Sequence, residues 1–225
     1  MSRYGQTYKP STDIMYFEPG KNSDVRMISF NLTENISTDK YQGSALDVEW
    51  EKNGSVVNIR KFPVDEANVN PKEIPVPKSE GGQKGEKRMQ TQDEALDEAY
   101  GKLKNWIKHV VTNYNHLLPE EKRNKFDEET TKAGSFEDLV KIAKSLLPTD
   151  FSKYKGELIV HYSGNFLTPP NEMYITGHFW KVEGSNKVLQ VLTRDSKPKK
   201  GYLNLDPPVQ VDSKPADTPA QDTDW

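Results

Sequence analysis

Cysteine is absent from all 225 residues. Disulfides, thiolate zinc sites and cysteine nucleophiles are therefore excluded, and a reducing compartment fits the composition. Long apolar runs are missing too. No stretch approaches the roughly 20 residues of a membrane span, and the N-terminus lacks the apolar core of a signal peptide. The expected protein is soluble and cytoplasmic, with no membrane contact. Histidine is scarce, with only His109, His116, His161 and His178. His109 and His116 lie seven apart on a predicted helix, without a carboxylate at metal-ligand spacing. His161 and His178 fall in predicted adjacent strands and read as a structural pair. No phosphate-binding loop, dinucleotide fingerprint, nucleophile elbow or His-Glu-x-x-His motif occurs, and Gly81-Gly82 and Gly85 have no strand leading in. No cofactor, metal site or enzymatic activity is expected.

What is present is a polar chain, 33% hydrophobic and 29% charged, with ten tyrosines, eight phenylalanines and four tryptophans. Its net charge of −3 divides unevenly. Residues 206–225 carry Asp206, Asp212, Asp217, Asp222 and Asp224 against Lys214, a balance of −4, which leaves residues 1–205 at +1. From Lys181 to Tyr202 the balance is +4, from Lys181, Lys187, Arg194, Lys197, Lys199 and Lys200 against Glu183 and Asp195.

Residues 1–22 read as a flexible arm containing Tyr4, Tyr8, Tyr16 and Phe17. Strand patterns follow at 24–33 and 45–50. In the second, Leu46, Val48 and Trp50 alternate with Asp47 and Glu49. Asn53-Gly54 predicts a hairpin turn into a strand over 55–62. Residues 63–90, rich in Pro and then in Gly and charge, predict a loop. Thr91–Leu118 has helical periodicity, a capping box at Thr91 and Glu94, and a stop at Pro119. Further helical segments are predicted from Pro119 to about Phe126 and from Ser135 to Leu147. Strands resume at 155–162, 173–181 and 187–194. Neither β segment has enough strands for a stable sheet alone, so one β domain over 23–205, interrupted by helices at about 91–147, is expected. After it, residues 206–225 predict a disordered acidic tail.

Most aromatics, namely Trp50, Trp106, Phe30, Phe62, Phe136, Phe151 and Phe166, are expected in the core. Phe179 and Trp180 are neighbours in a strand and must point to opposite faces, so one of them should leave the core for solvent, a helix or a ligand. Rings interleaved with cations on a small sheet suit a strand of unpaired bases, which needs stacking surfaces and charge for phosphates. The predicted binding face is Arg60, Lys61, Tyr162, Tyr174, Trp180, Lys181, Arg194 and Tyr202. The tail tip, Asp222, Asp224 and Trp225, is predicted to anchor a basic partner pocket.

The Trp50–Phe62 hairpin, the Lys155–Tyr162 and Met173–Lys181 strands and the Asp222–Trp225 tip together resemble a bacteriophage single-stranded-DNA-binding protein of the OB-fold type. The tips of bacterial single-strand binders end in Pro-Phe where this chain ends in Asp-Trp, and the zinc module of some phage binders needs cysteines absent here. The resemblance implies an α+β chain with an antiparallel OB-like barrel. It also implies sequence-independent single-stranded DNA binding, self-association along the strand, and tail contacts with replication or recombination proteins in the host cytoplasm. A non-enzymatic protein-interaction module, such as a phage inhibitor or virion-associated factor, is the alternative. An RNA binder is a third, distinguished by preference for a 2′-hydroxyl.

Overall fold

The computed structural model describes residues 16–38, 41–171, 178–189, 203 and 205. It is an α+β chain with an antiparallel sheet and a helical segment between the sheet's third and fourth long strands. The long strands are β1 (Gly20–Thr38), β2 (Tyr41–Lys52), β3 (Ser55–Lys61) and, after the helices, β6 (Lys155–Ser163). The remaining strands are short: β4 (Glu73–Pro75), β5 (Lys87–Met89), β7 (Phe166–Thr168) and β8 (Trp180–Val182).

β1 organises the sheet because it changes partner along its length. Its first part pairs with β6, from Gly20↔Val160 to Arg26↔Lys155, and its remainder pairs with β2, from Arg26↔Glu51 to Thr38↔Tyr41. Its ladders shift register between Asn22 and Val25, between Met27 and Ser29, and between Thr33 and Ile36. Asp24 and Asn35 sit inside two of these shifts with φ of 60° and 56°. Asp and Asn tolerate the left-handed region better than other side chains, so these bulges bend the strand where the sequence permits it. The β2–β3 hairpin turns at Asn53-Gly54, φ 51° and 87°, as the dipeptide predicts.

β7 and β8 both lie along β6. Ser163↔Phe166 to His161↔Thr168 forms one ladder, and Leu158↔Trp180 to Gly156↔Val182 the other. The Ile159 N–H donates to Phe179 O at 2.7 Å between them. They are thus two pieces of one strand position, separated by residues 169–179. The order across the sheet is β3-β2-β1-β6-β7, with β8 beside β6. The end strands approach one another: the Thr168 hydroxyl donates to Asn58 O at 3.1 Å, and Lys61 donates to the Asn171 side-chain oxygen at 2.7 Å. The sheet therefore curls, but among the described residues no backbone ladder closes it into a barrel.

Helix α1 (Gln92–Thr112) opens with the predicted capping box at Thr91 and Glu94. It ends six residues before Leu118, and the chain continues through a 3₁₀ turn at Asn115–Leu117. The segment expected to be helical from Pro119 holds only a 3₁₀ turn at Glu120–Lys122, with α2 (Phe126–Thr130) starting where helix was expected to stop. α3 (Phe136–Ser145) is capped by Ser135, as read from the sequence. The expected loop over 63–90 is more ordered than its composition suggests. It contains the β4–β5 hairpin, and Arg88 ties it to Glu80 and to Glu94 at the start of α1. No helix among the described residues is long and apolar enough to cross a membrane.

Trp50, Phe179, Trp180, Trp106 and Tyr114 share one core with the aliphatic side chains of β1, β2, β6 and α1. Phe179 sits between layers, with its ring 6.4 Å from Trp50 on the sheet and 5.5 Å from Trp106, stacked, on α1. Both Phe179 and Trp180 are buried: of the solvent, helix or ligand expected to receive one of them, the structure supplies the helix, and the expectation that Trp180 faces a ligand is corrected. Trp180 packs at 6.1 Å from Trp50, while Phe179 meets the helix. Phe17 is also buried and β1 begins at Gly20, so the inner end of the arm expected over 1–22 belongs to the folded body.

Gly156 permits this packing. A Cβ there would lie 2.2 Å from Lys181 O and 2.8 Å from the Trp180 ring. Gly156→Ala is expected to destabilise the fold by about 1–3 kcal/mol, the usual range for overpacking. A urea-unfolding midpoint equal to that of the parent protein would refute this.

Candidate nucleic-acid interface

The seam where β3 faces residues 168–171 separates two grooves. At the C-terminal end of β3 a groove of about 680 Å³ lies between the strand, residues 68–72 and the first half of α1. Its charged lining is Arg60, Lys61, Lys72 and Lys102 against the single carboxylate of Glu98, with Asn68, Asn70, Gln90 and Asn171 supplying amides. Phe62 forms part of its wall, and the ring of Tyr41 meets Phe62 edge-on at 4.7 Å. At the other end of β3 a groove of about 470 Å³ is lined by Val56, Tyr162, Phe166 and Leu167 among others. Phe166 is 73% exposed and Val56 51%. The β6–β7 turn at Gly164-Asn165 carries Phe166 to this position.

The cations are held by specific partners. Arg60 makes a two-pronged contact to Asp47, at 2.6 and 2.8 Å. Burial pushes the Asp47 carboxyl up, but the hydrogen bonds from Arg60 and Thr33 outweigh it and leave it below the usual range. Lys61 is buried, donates to Asn171 and lies 4.6 Å from the centre of the Trp106 ring. The cation–π contact and the amide oxygen make burial of that ammonium tolerable. Lys72 and Lys102 both reach Glu98, with Lys102 at 2.9 Å. The Gln90 amide donates to the same carboxylate at 2.8 Å.

The outer face of the β2–β3 hairpin has the opposite character. Asp47, Glu49 and Glu51 point away from the buried Leu46, Val48 and Trp50, and stand opposite Arg60, Asn58 and Val56. Three carboxylates against one paired guanidinium disfavour a phosphate backbone crossing these strands.

Of the expected binding face, Arg60 and Lys61 line the cationic groove and Tyr162 the apolar one. Lys181 lines neither and stands opposite Glu157 in the β6–β8 ladder. Trp180 is fully buried and is removed from the face. Tyr174, Arg194, Tyr202, Asp222, Asp224 and Trp225 lie outside the described residues, as do the acidic tail and most of the expected 173–181 and 187–194 strands. Sequence reading missed Phe62, Lys72, Lys102 and Phe166. Phe62 and Phe166 were expected in the core but are exposed, at 41% and 73%. Phe62 follows Lys61 on the outward parity of β3, which was legible. Lys72 and Lys102 are brought together only by the tertiary fold.

The histidines pair differently from expectation. His178 stacks on His109 rather than joining His161, with ring centres 4.5 Å apart and the two Nδ1 atoms at 2.6 Å. The Trp180 N–H points at His109 Nε2 from 3.4 Å, which places the shared proton on His109 Nδ1. Burial, with His178 and Lys187 nearby, pushes His109 well below the ordinary imidazole value. His116 is exposed and contacts Glu183 O, so it does not share the environment of His109. Among the described residues no cluster of three His, Asp or Glu could hold a metal.

Comparison of the chain with protein-family models, curated proteins and solved structures gives no match.

The carboxylates at the start of α1 make stability acid-sensitive. Hydrogen bonds from Arg88, then from the Thr91 backbone, hold Glu94 down at about 2, and Lys72, Lys102 and Gln90 do the same for Glu98. Both carboxyls ordinarily titrate near 4.5. Between these values the unfolded chain binds more protons, so their contribution is complete above about pH 4.5 and is lost as the pH falls towards 2. The urea midpoint should decline across that window, and Arg88→Ala should flatten the decline. An identical pH dependence in the variant would show that the Arg88–Glu94 contact does not contribute.

Proposed function

We propose that the chain is a non-enzymatic, sequence-independent single-stranded-DNA-binding protein built on an OB-like barrel, with the strand lying along the outer edge of β3. The observation that carries this is the cationic groove with Phe62 in its wall, at one end of a seam whose other end exposes Phe166. Such a seam offers charge for phosphates and ring faces for bases along one line. The strand order supports the barrel: a bent first strand shared by β2 and β6, helices between β3 and β6, and a last strand position returning against β3. Because the β2–β3 outer face is acidic, the proposed track runs beside these strands rather than across them. The tail over 206–225, opposite in sign to the groove, competes for it and recruits replication or recombination proteins through Asp222, Asp224 and Trp225. A phage origin and a place in the host cytoplasm belong to the same reading.

The apolar groove favours a second reading, a protein-interaction module, since exposed Phe166 and Val56 would suit a protein partner.

Fluorescence anisotropy of a labelled dT oligonucleotide at low and moderate salt, with duplex competitor, decides between them. Single-strand binding should weaken with salt by roughly 0.7 log units per log unit of salt for each phosphate contacted. Phe166→Ala and Phe62→Ala should each weaken it by about 1–3 kcal/mol, the value of one stacked base. Because both side chains are exposed, thermal stability should change little. Absence of binding at low salt would refute the DNA reading and leave the protein-interaction module.

A further inference from the structure

The Glu98 carboxylate is held as an anionic ligand would be. One oxygen receives both Lys72 and Lys102, and the other receives the Gln90 amide. These donors come from separate elements, Lys72 and Gln90 from the two feet of the β4–β5 hairpin and Lys102 from α1. Glu98 does not assemble them alone. The Gln90 N–H donates to Lys72 O at 3.0 Å, and the Gln90 side-chain oxygen accepts from the Lys72 N–H at 3.3 Å. That double contact fixes the spacing of the two feet, and Gln90 is only 9% exposed. The lysines, by contrast, are about half exposed, at 54% and 51%, and reach into a groove open to solvent.

Charge points the same way. Two ammonium groups share one carboxylate, and Arg60 and Lys61 line the same groove. A carboxylate and a phosphodiester each present two oxygens that share one negative charge, so they suit the same donors. Both lysines are solvent-exposed, so water and salt screen their pairing with Glu98 and another anion can reach them.

We propose that Lys72, Gln90 and Lys102 form a seat for one phosphodiester of the bound strand, and that Glu98 fills this seat as an internal counter-ion until nucleic acid displaces it. The inference rests on the single-strand reading of the groove and adds a specific position to it. Glu98 sets the threshold for binding: each encounter must exchange a tethered carboxylate for a phosphate, which discriminates against weakly held anions.

The test compares the full-length protein with Glu98→Gln and with a Lys72→Ala/Lys102→Ala double variant. A labelled dT oligonucleotide is titrated at several salt concentrations, and folding is checked by circular dichroism. Glu98→Gln is expected to tighten binding several-fold and to steepen the log–log salt slope by roughly 0.7, the release expected for one more phosphate. The double variant should bind more weakly with a shallower slope. Parent-like affinity and slope in Glu98→Gln, with the parent protein itself binding, would overturn the seat while leaving the single-strand reading intact. Should Glu98→Gln fail to fold, the double variant decides, and parent-like binding by it overturns the proposal. Failure of the parent to bind at low salt removes both readings.

Discussion

The placement of Phe179 between sheet and helix is the contact on which the rest of the structure depends. Its ring touches Trp50 on β2 and stacks on Trp106 of α1, and the residue after it, Trp180, fills the space against β6. Aromatic pairs of this kind contribute beyond the area they bury and favour specific geometries. Trp106 carries the arrangement outward: its indole N–H donates to Pro170 O at 3.0 Å and its ring lies under the Lys61 ammonium. The same side chains that join helix to sheet thus fix residues 168–171 alongside β3, and with them one wall of the cationic groove.

Electrostatics then divides the surface more finely than net charge suggests. Lys72 reaches Glu98 and Arg88 reaches Glu94, so the long connection between β3 and α1 is tied to the helix by ion pairs, while Arg60 and Lys102 are paired within the hairpin and within α1. That makes the groove wall dependent on charge and exposed to salt, in contrast to the aromatic core beneath it. The acidic outer face of β2 limits where an anionic partner could lie.

Local signals in the sequence were reliable where a short-range rule decides conformation. Asn53-Gly54 gave its hairpin, Thr91 and Ser135 capped their helices, and Leu46, Val48 and Trp50 faced the core. The misses share one cause. Strand parity turns Phe179 and Trp180 to opposite faces, but a place for Trp180 on a binding face does not follow, because α1 takes Phe179 and the sheet core takes Trp180. Phe166 was read as core because it is aromatic, whereas it lies beside a Gly-Asn turn at the sheet's margin. The short β7 was hidden by Pro169-Pro170 immediately after it. In the groove, Arg60 and Lys61 were legible from the hairpin, but Lys72 and Lys102 are thirty residues apart and meet only through Glu98.

The split of one strand position into β7 and β8 divides its register in two. In an unbroken strand, slipping by one residue turns every side chain to the other face. Here β7 is set by its tight turn with β6, and β8 by the fit of Trp180 over Gly156. Each half has its own source of alignment, so a slip in one ladder does not force a slip in the other. The seating of Phe179 against α1 is therefore governed by the β8 end of that position, and the β6–β7 turn can change without moving it.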